Sequence, residues 1–426
     1  MRGHLQFVCF ATVLVAWMGL QRVRGAVERS PGAELVAEHF ERRTIYHSPQ
    51  TPGWTSWVGA WLMPDGSIMV CCTQATGPVD DRLKTRSFAG LHVSVIYLRS
   101  FDKGKSWSKV ADSDVSFGTG ENSGLGTHAN NGGATIALKD GSILRRVYGF
   151  DYGHFGVLPG TAFMQISRDG AKTWSDPPRS SDGGKTWINT APIQQLLLDP
   201  SKYTVQITRQ RRLSDGRLVI CGGVWNGPHT QSAAYQPLLM VSSDEARTWR
   251  RVDFAGPHYD PAWNHKFDEW DFAELSDGDL LLVSRPSDNT RRWAGLLRKA
   301  GKGWLLDSFH QTTLPHSGHP ELLRTRQGPI LHIAQTGIDW TTDAGAHWTP
   351  VIFPGLQKSF RPREEPSSLA TLYYPRSLQT PDGTIYVFAH RGWDNAYGQR
   401  DQSVVMDTFR LAWKNKSADL SHRGGS

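Results

Sequence analysis

The sequence predicts an all-β protein, a six-bladed β-propeller of four-stranded antiparallel blades. Two repeated patterns and the composition support this prediction. An Asp-Gly turn between two apolar runs recurs along the chain, and so does an octet of the form Ser-x-Asp-x-Gly-x-Thr-Trp. The 426 residues include 17 Trp, 43 Gly and 24 Pro and show no long helical periodicity, which is typical of a β protein rich in turns.

Six hairpin turns mark the predicted blades. Asp-Gly between two apolar runs is a strong short-range hairpin signal, because both residues tolerate the backbone conformation that a tight turn requires. Clear copies have their glycine at Gly66, Gly141, Gly216, Gly278 and Gly383, and a degenerate copy has it at Gly328. Neighbouring turns are 50 to 75 residues apart, which leaves room for one blade at each turn.

The octets predict a second kind of turn, which follows a further strand of most blades. In such an octet the Ser and Asp side chains bind backbone amides, Gly supplies a positive φ, and Trp packs on the loop. Copies begin at Ser100, Ser167, Ser180, Ser242 and Thr341. We interpret them as structural. Since the aspartates of the second and third copies are only 13 residues apart, one of these two octets is expected to close an inserted loop.

Both ends of the chain are predicted to lie outside the propeller, which we place at residues 40–413. Residues 1–25 resemble a signal peptide, because the apolar run Phe7–Leu20 is short for a membrane span and is followed by Val23-x-Gly25. The alternative is an uncleaved anchor. We therefore expect a secreted or periplasmic protein with no membrane insertion after cleavage, and a disordered polar tail at residues 414–426.

Charge and cysteine content exclude several classes of protein. The formal net charge of +7 is modest for this length and the basic residues are scattered, so nucleic acid is not predicted as a partner and an acidic glycan fits better. Cys71, Cys72 and Cys221 follow no disulfide or metal-binding spacing. No nucleotide-binding or serine-hydrolase motif is present, and we expect neither a metal nor a cofactor. The sequence does not indicate the oligomeric state.

The interleaved hairpins and octets resemble the sialidase superfamily, whose members are six-bladed propellers with Asp-box repeats. The resemblance covers nearly all of the chain after the predicted signal peptide. It implies a glycoside hydrolase without a cofactor, in which three arginines clamp the carboxylate of the substrate. It also implies a tyrosine nucleophile assisted by a glutamate, and an aspartate as acid/base.

Three elements of the family's site fall on matching residue types when positions are counted from the turn glycines. The glutamate is expected nine residues before one turn glycine and an arginine seven after it, which gives Glu269 and Arg285 around Gly278. The tyrosine is expected nine residues before the last turn glycine, which gives Tyr374. The acid/base is expected on a loop after the first blade's second strand, where Asp81 is the candidate and Asp80 is its neighbour.

Two of the three clamp arginines are missing from their expected positions. Ser56 occupies the first, ten residues before Gly66, and the stretch AQTGIDW directly before the fifth blade's octet contains no arginine. Arg376, Arg391 and Arg146 are candidates to replace them from other blades.

Two further stretches have compositions that suit sugar binding, since aromatic rings stack on the apolar face of a sugar while polar groups bind its hydroxyls. One precedes the degenerate hairpin and the other follows a strand of the last blade. Each of these residues also has a structural alternative, as a packed histidine, a packed aromatic or a loop anchor. The predicted substrate-binding set is Arg285, Arg376, Arg391, His316, His319, Glu321, Trp54 and Trp393.

We therefore predict an exported, sialidase-like glycoside hydrolase that acts on a glycan terminus through a retaining Tyr/Glu mechanism and is not an efficient sialidase. The alternative is a non-catalytic carbohydrate-binding propeller, and an adhesion role at the cell surface is a third reading. One observation separates the first two. Contact between Tyr374 and Glu269 favours the enzyme, and a separation beyond side-chain reach favours the binder.

Overall fold

The computed structural model describes most of the chain, and its β-strands form the predicted six-bladed propeller. The described residues are 33–51, 53–78, 92–114, 134–149, 161–182, 185–226, 235–256, 259–288, 290–316, 318–334, 336–355, 373–394 and 400–415. Within these ranges the structure is almost entirely β, with a short 3₁₀ helix at Pro261–Lys266. Glu34–Lys414 form one unit, which carries the six sheets.

The blades follow one another along the chain, and each begins with the strand nearest the propeller axis. Blade one contains β2 (Trp54–Leu62), β3 (Ile68–Thr76), β4 (His92–Ser100) and β5 (Ser108–Asp114). Blade two contains β6 (Thr135–Ala137), β7 (Ile143–Gly149) and β8 (Thr161–Ser167). Blade three contains β9 (Tyr203–Arg212), β10 (Leu218–Asn226), β11 (Tyr235–Ser242) and β12 (Arg250–Val252).

The remaining three blades have four strands each. Blade four contains β13 (Glu269–Glu274), β14 (Leu280–Arg285), β15 (Trp293–Ala300) and β16 (Gly303–Gln311). Blade five contains β17 (Glu321–Arg324), β18 (Ile330–Ala334), β19 (Gly337–Thr341) and β20 (Thr349–Pro350). Blade six contains β21 (Tyr373–Gln379), β22 (Ile385–Asp394) and β23 (Arg400–Asn415), with β1 (Ala33–His47) outermost.

All six predicted turn glycines join the first two strands of a blade. Their φ angles lie between +81° and +105°, in the left-handed region that side chains with a Cβ rarely adopt. In the first of these turns the Asp65 carboxylate accepts a hydrogen bond from the amide of Ser67 at 2.9 Å, as an Asx turn requires. The repeat that predicted the fold is therefore the repeat that bends the chain.

The octets form turns with one shared set of hydrogen bonds. At the first copy Asp102 accepts from the amide and the hydroxyl of Ser106, at 2.9 and 2.5 Å, and Ser100 Oγ accepts from the amide of Gly104 at 2.8 Å. These donors hold the pKa of Asp102 at about 2. The same aspartate-to-Thr pattern recurs at Asp169, Asp182 and Asp244.

Blade two differs from the predicted four-stranded pattern. Its sheet has three strands, and an isolated bridge between Phe163 and Leu196 lies where a fourth strand would pair. The octet that begins at Ser180 lies in the sequence between β8 and Leu196. A second bridge joins Arg179 and Ile188, which flank this octet. The inserted loop expected from the two closely spaced octets therefore occupies the place of a regular outer strand.

The N-terminal strand closes the ring. β1 pairs with β23 on the outside of blade six, which covers the edge that β23 would otherwise expose. Arg42 on β1 binds the buried Asp407 on β23 through two hydrogen bonds, both 2.6 Å long. Apolar layers between blades form the core. Cys71 and Cys72 are both buried because each face of blade one packs on a neighbouring blade.

Candidate active site

Glu269, Arg285 and Tyr374 lie together in the structure. Glu269 begins β13 and Arg285 ends β14, and the two are direct cross-strand partners. The Arg285 Nη1 atom is 3.0 Å from Glu269 Oε2. Tyr374 comes from blade six, and its hydroxyl donates to Glu269 Oε1 at 3.2 Å. Two residues selected by counting from different hairpins are therefore in hydrogen-bond contact.

A β-bulge in β21 places the Tyr374 side chain. The pairing of β21 with β22 shifts register between Tyr373 and Arg376, and Tyr374 has a φ of +48°. A left-handed tyrosine costs about 1–3 kcal/mol, a strain that is common where a side chain must be aimed at a functional site. The Tyr374 ring is close to both the His319 and the His390 rings, with centroid distances of 6.2 and 6.3 Å.

The electrostatics of the pair keep Tyr374 protonated and make Glu269 more basic. Burial raises the pKa of Glu269, and Arg285 opposes this rise. The charge of Glu269, together with burial, raises the pKa of Tyr374, again opposed by Arg285. At neutral pH the phenol therefore keeps its proton in the absence of a reaction partner, while the carboxylate beside it is a stronger base than an exposed one.

Arg285 is engaged by acidic side chains at both terminal nitrogens. Nη1 contacts Glu269, and Nη2 donates to Asp268 Oδ2 at 2.8 Å. Its side chain is 22% exposed. Arg285 therefore orients Glu269 and balances the negative charge beside Tyr374.

The arginines proposed to replace the missing clamp have partners of their own in the protein. Arg376 is completely buried and donates to the carbonyl of Pro375 at 2.8 Å. Arg146 is also buried and donates to the carbonyl of Ile207 at 2.7 Å.

Arg391 is electrostatically coupled to Arg42 and Asp407 at the outer strands of blade six. It follows His390 on β22, and successive side chains on a strand point to opposite faces, so Arg391 faces away from Tyr374. The role of Arg376, Arg391 and Arg146 in a carboxylate clamp stays a prediction.

The His316–Glu321 segment enters the site only in part. His316 is partly buried ahead of β17. His319 is fully buried and its Nδ1 lies 2.5 Å from the carbonyl of Pro320, which fixes the proton on Nδ1 because a carbonyl only accepts. Burial and the charge of Arg376 hold the pKa of His319 well below its usual value, so the ring is neutral. Glu321 is fully buried among polar groups of blades three and six.

Three predicted residues cannot be located at side-chain level. Asp81, and Asp80 beside it, fall outside the described residues. Trp54 lies on β2 opposite Ala75 and Trp393 on β22 opposite Asp401, but their side chains are not among those described. The acid/base and the proposed sugar-stacking residues therefore remain predictions.

A buried charged cluster beneath the site was not predicted as a unit. Arg209, Asp271, Glu321 and Arg376 occupy the position seven residues before the turn glycine in blades three to six. All four are less than 9% exposed. The same counting from turn glycines, applied at this offset, would have revealed them.

Arg292, just before β15, was also missed. It is buried and donates to the carbonyl of Gly318 at 2.6 Å, and burial lowers its pKa to about 9. Among the described residues, no group of three or more His, Cys, Asp or Glu side chains is arranged to hold a metal ion. Nor does the described part of the chain contain a helix of the length and apolar character needed to cross a membrane.

Comparison with known proteins gives both sequence and structural relatives. No protein-family model matches the chain. A curated sialidase of Bacteroides fragilis (strain YCH46) is 26% identical over 241 residues, which is 53% of this chain and 40% of that protein. The chain therefore spans less than half the length of this curated relative.

Three solved structures share the fold. A Dyadobacter fermentans protein of unknown function superimposes with a TM-score of 0.56 at 15% identity, covering 90% of this chain and 100% of the other. The Hadza microbial sialidase Hz136 gives 0.53 at 18% identity, with 84% and 65% covered. A Penicillium chrysogenum α-L-arabinanase complexed with arabinobiose gives 0.50 at 13% identity, with 86% and 97% covered. The resemblance to the sialidase superfamily is thus confirmed.

Proposed function

We propose that this chain, a sialidase-like propeller, is a retaining glycoside hydrolase that acts on a glycan terminus, with Tyr374 as the nucleophile and Glu269 as its base. The observation that carries this proposal is the 3.2 Å hydrogen bond from the Tyr374 hydroxyl to Glu269. A general base must lie within hydrogen-bond reach of the proton that it removes, and this one does so across two blades. A propeller that only bound sugars would not require the contact.

The proposed reaction has two displacements. In the first, the Tyr374 oxygen bonds to the anomeric carbon, its proton passes to Glu269, and the bond to the leaving-group oxygen breaks as an acid protonates that oxygen. We assign the acid role to Asp81, on the basis of the family resemblance. In the second displacement water replaces the tyrosyl oxygen and loses a proton to the Asp81 carboxylate, while Glu269 returns its proton to the departing Tyr374 oxygen. Two inversions retain the anomeric configuration.

The net positive charge fits an acidic glycan, but the contacts that the arginines make within the protein favour an uncharged glycan end over a sialic acid. A carboxylate in a partly dry pocket needs bidentate, charge-assisted partners, each worth about 1.5–3 kcal/mol. Arg285 already binds Glu269 and Asp268, and Arg376 is buried against a carbonyl. A substrate carboxylate would also meet the negative charges of Glu269 and Asp268. The arabinanase that shares the fold was solved with a neutral disaccharide, which fits this proposal.

Export is part of the proposal. It rests on the apolar run Phe7–Leu20 and on the glycan substrate, since glycan ends are abundant outside the cytoplasm. Determining the N-terminal residue of the mature protein after expression with its own leader tests it. We expect a start near residue 26, and a retained Met1 on a secreted protein would contradict cleavage.

Turnover of 4-nitrophenyl glycosides tests the proposed activity. The panel contains neutral furanosides and pyranosides together with the α-sialoside, and proton NMR of the first-formed anomer reports the stereochemistry. We expect hydrolysis of a neutral glycoside with retention, and no efficient hydrolysis of the sialoside. Robust sialoside turnover would contradict the substrate assignment, and saturable binding of these sugars without any turnover would support the carbohydrate-binding alternative.

Paired tyrosine variants then test the nucleophile. Tyr374→Phe removes only the hydroxyl, so we expect a loss of kcat of at least about 1,000-fold with nearly unchanged ligand binding. Tyr386→Phe is the matched control, because that hydroxyl donates to the carbonyl of Lys103 away from the site. Wild-type rates in Tyr374→Phe would exclude Tyr374 as the nucleophile and make His316 and His319 the next residues to test.

A further inference from the structure

We propose that Asp271 and Glu321 are positioning residues, which brace three consecutive blades so that Tyr374 stays in contact with Glu269. The inference rests on the proposed function for its effect on turnover, whereas the braces themselves are read from the geometry. Their effect on the Tyr374–Glu269 contact can be measured without any substrate.

The contact between Tyr374 and Glu269 depends on two blade interfaces. Glu269 lies on β13 of blade four and Tyr374 on β21 of blade six, so blade five lies between them in the ring. A slip at either interface would change the distance between the hydroxyl and the carboxylate. Apolar packing alone is tolerant of such slips, whereas a hydrogen bond with a fixed direction is not.

The first brace joins blade four to blade five. Asp271 is two residues after Glu269 on β13, and its Oδ2 atom accepts a hydrogen bond from the amide of Leu322 on β17 at 2.7 Å. Arg211 holds the carboxylate in place through Nε to Oδ1, at 3.0 Å, and through Nη2 to Oδ2, at 2.5 Å. Burial would raise the pKa of Asp271, but Arg211 and Arg209 lower it, so the brace is ionised.

The second brace joins blade five to blade six. Glu321 is the residue before Leu322, and its Oε1 atom accepts from the amide of Ser377 at 2.8 Å and from its hydroxyl at 2.7 Å. Arg209 donates to the same oxygen at 2.6 Å. Ser377 is three residues after Tyr374 and immediately follows the bulge in β21. The brace therefore fixes the strand where it leaves the bulge that aims the tyrosine.

The two braces occupy equivalent positions in successive blades. Each carboxylate lies seven residues before the turn glycine of its own blade, and each bound amide lies six residues before the turn glycine of the next blade. In the six blades this position holds Gly59, Ala134, Arg209, Asp271, Glu321 and Arg376 in turn. Carboxylates thus occupy it only in blades four and five, whose following interfaces are the two between Glu269 and Tyr374.

The energetic cost of the braces supports a positioning role. Each carboxylate is completely buried and has an arginine as its counter-charge, the buried Arg209 for Glu321 and the partly buried Arg211 for Asp271. Burying such charges is often no better for stability than apolar packing, so stability alone does not explain them. The arginines that bind them, Arg209 and Arg211, come from β9 of blade three, so the charged cluster also links blades three and four, beside the uncharged hydrogen bond from the Thr208 hydroxyl to the carbonyl of Trp270 at 2.8 Å. Charged braces give shorter, more directional bonds where the site depends on them.

Carbon-13 NMR of the tyrosine Cζ atoms tests the proposal in the full chain at pH 7. The Tyr374 resonance is assigned by its loss in Tyr374→Phe, and Glu269→Gln gives its position without the carboxylate partner. In Glu321→Ala we expect the Tyr374 resonance to move most of the way to its chemical shift in Glu269→Gln. In Glu321→Gln, which keeps an acceptor for Ser377, we expect a chemical shift close to that of wild type. Ser377→Ala, which removes one donor, is the milder variant if Glu321→Ala does not fold.

Asp407→Asn is the matched control, because Asp407 is also a buried carboxylate bound to an arginine but lies on β23. We expect it to lower stability and leave the Tyr374 resonance unchanged. If Glu321→Ala and Ser377→Ala likewise leave the resonance unchanged, the braces do not position Tyr374 and the proposal is wrong. If wild type and Glu269→Gln give the same resonance, the Tyr374–Glu269 contact is absent in solution, and the basis of the proposed function fails instead.

Turnover gives a second readout once a substrate is known. A displacement of about 1 Å between reacting groups can cost about 100-fold in rate. Glu321→Ala should therefore lower kcat by about 10- to 100-fold while KM changes by less than about threefold, since no substrate contact is removed. Equal changes of kcat in Glu321→Ala and Asp407→Asn would contradict a positioning role.

Discussion

Replacing Arg285 with glutamine tests the electrostatic part of the mechanism. Arg285 Nη1 lies 3.0 Å from Glu269 Oε2, and the two side chains are only 22% and 9% exposed, so solvent screens the pair weakly. The arginine stabilises the ionised form of Glu269, against the burial that raises its pKa. Without the arginine the pKa of Glu269 should rise further. Because the base is active only when ionised, the acid limb of the pH–rate profile should move to higher pH.

The size of this shift follows from the contact. A hydrogen bond with a charged partner contributes about 1.5–3 kcal/mol, and one pKa unit corresponds to about 1.36 kcal/mol, so the limb should move up by about 1–2 pH units. The assay is kcat/KM from pH 4 to pH 9 on the best neutral glycoside. Direct titration of Glu269 by carbon-13 NMR of labelled glutamate gives the same quantity without a substrate.

A second arginine of blade four provides the control. Arg298 pairs with Asp279 and Asp307, but its side chain is 54% exposed and it lies on β15 away from Tyr374. Arg298→Gln should leave the acid limb in place. An unchanged limb in Arg285→Gln, or a shift to lower pH, would refute the assigned role of the Arg285–Glu269 pair.

Three further predictions concern stability, measured by urea unfolding. Glu269→Gln should stabilise the protein at pH 7 but not at pH 4, because the raised pKa of Glu269 penalises the folded state only above the unfolded value of about 4.5; a destabilised variant at pH 7 would contradict this. Burial lowers the pKa of His332 to about 4, so wild type should lose about 3 kcal/mol more than His332→Leu between pH 7 and pH 4, and parallel pH curves would refute it. Arg211→Leu should cost about 3–5 kcal/mol, because the buried Asp271 would keep its amide hydrogen bonds but only Arg209, at 3.6 Å, as a counter-charge, and a loss below about 1 kcal/mol would disprove that.

The sequence was most informative where local backbone chemistry decides the structure. A glycine that must take a positive φ between two apolar runs marks a hairpin wherever it occurs, and the six such glycines set the number of blades. Once the turns are known, residues that lie the same number of positions before a turn glycine occupy equivalent places on the first strands of different blades. The sialidase resemblance placed the glutamate and the tyrosine each nine residues before a turn glycine, and Glu269 and Tyr374 at these positions are in contact.

The direction in which a side chain points was harder to predict than the position of its residue along the strand. The bulge at Tyr374 inserts a residue and turns the strand, so a simple alternation along β21 would not show which side chains face the site. His390 lies against Tyr374, whereas its neighbour Arg391, the predicted ligand, faces the outer strands. Arg376 likewise lies two residues after Tyr374 on the same strand, but its guanidinium is buried beside Glu321.

Pairing partners across blades also could not be predicted from one-dimensional counting. Asp271 and Glu321 each bind an amide of the next blade, and such a bond depends on how neighbouring blades are aligned. In blade two, both octets were recognised, but the sequence did not show that the loop between them displaces the outer strand. Turn chemistry is local, whereas these features depend on the packing of whole sheets.

Trapping of the covalent intermediate tests the central claim most directly. The fluorinated glycosyl fluoride that corresponds to the best neutral substrate should form a glycosyl-enzyme that breaks down slowly, because fluorine at the neighbouring carbon destabilises the positive charge of the transition state. Peptide mass spectrometry should then place one sugar on the peptide that contains Tyr374, and Tyr374→Phe should remain unlabelled. A sugar attached instead to Glu269 or another carboxylate, in an enzyme that turns over its substrate, would contradict the account.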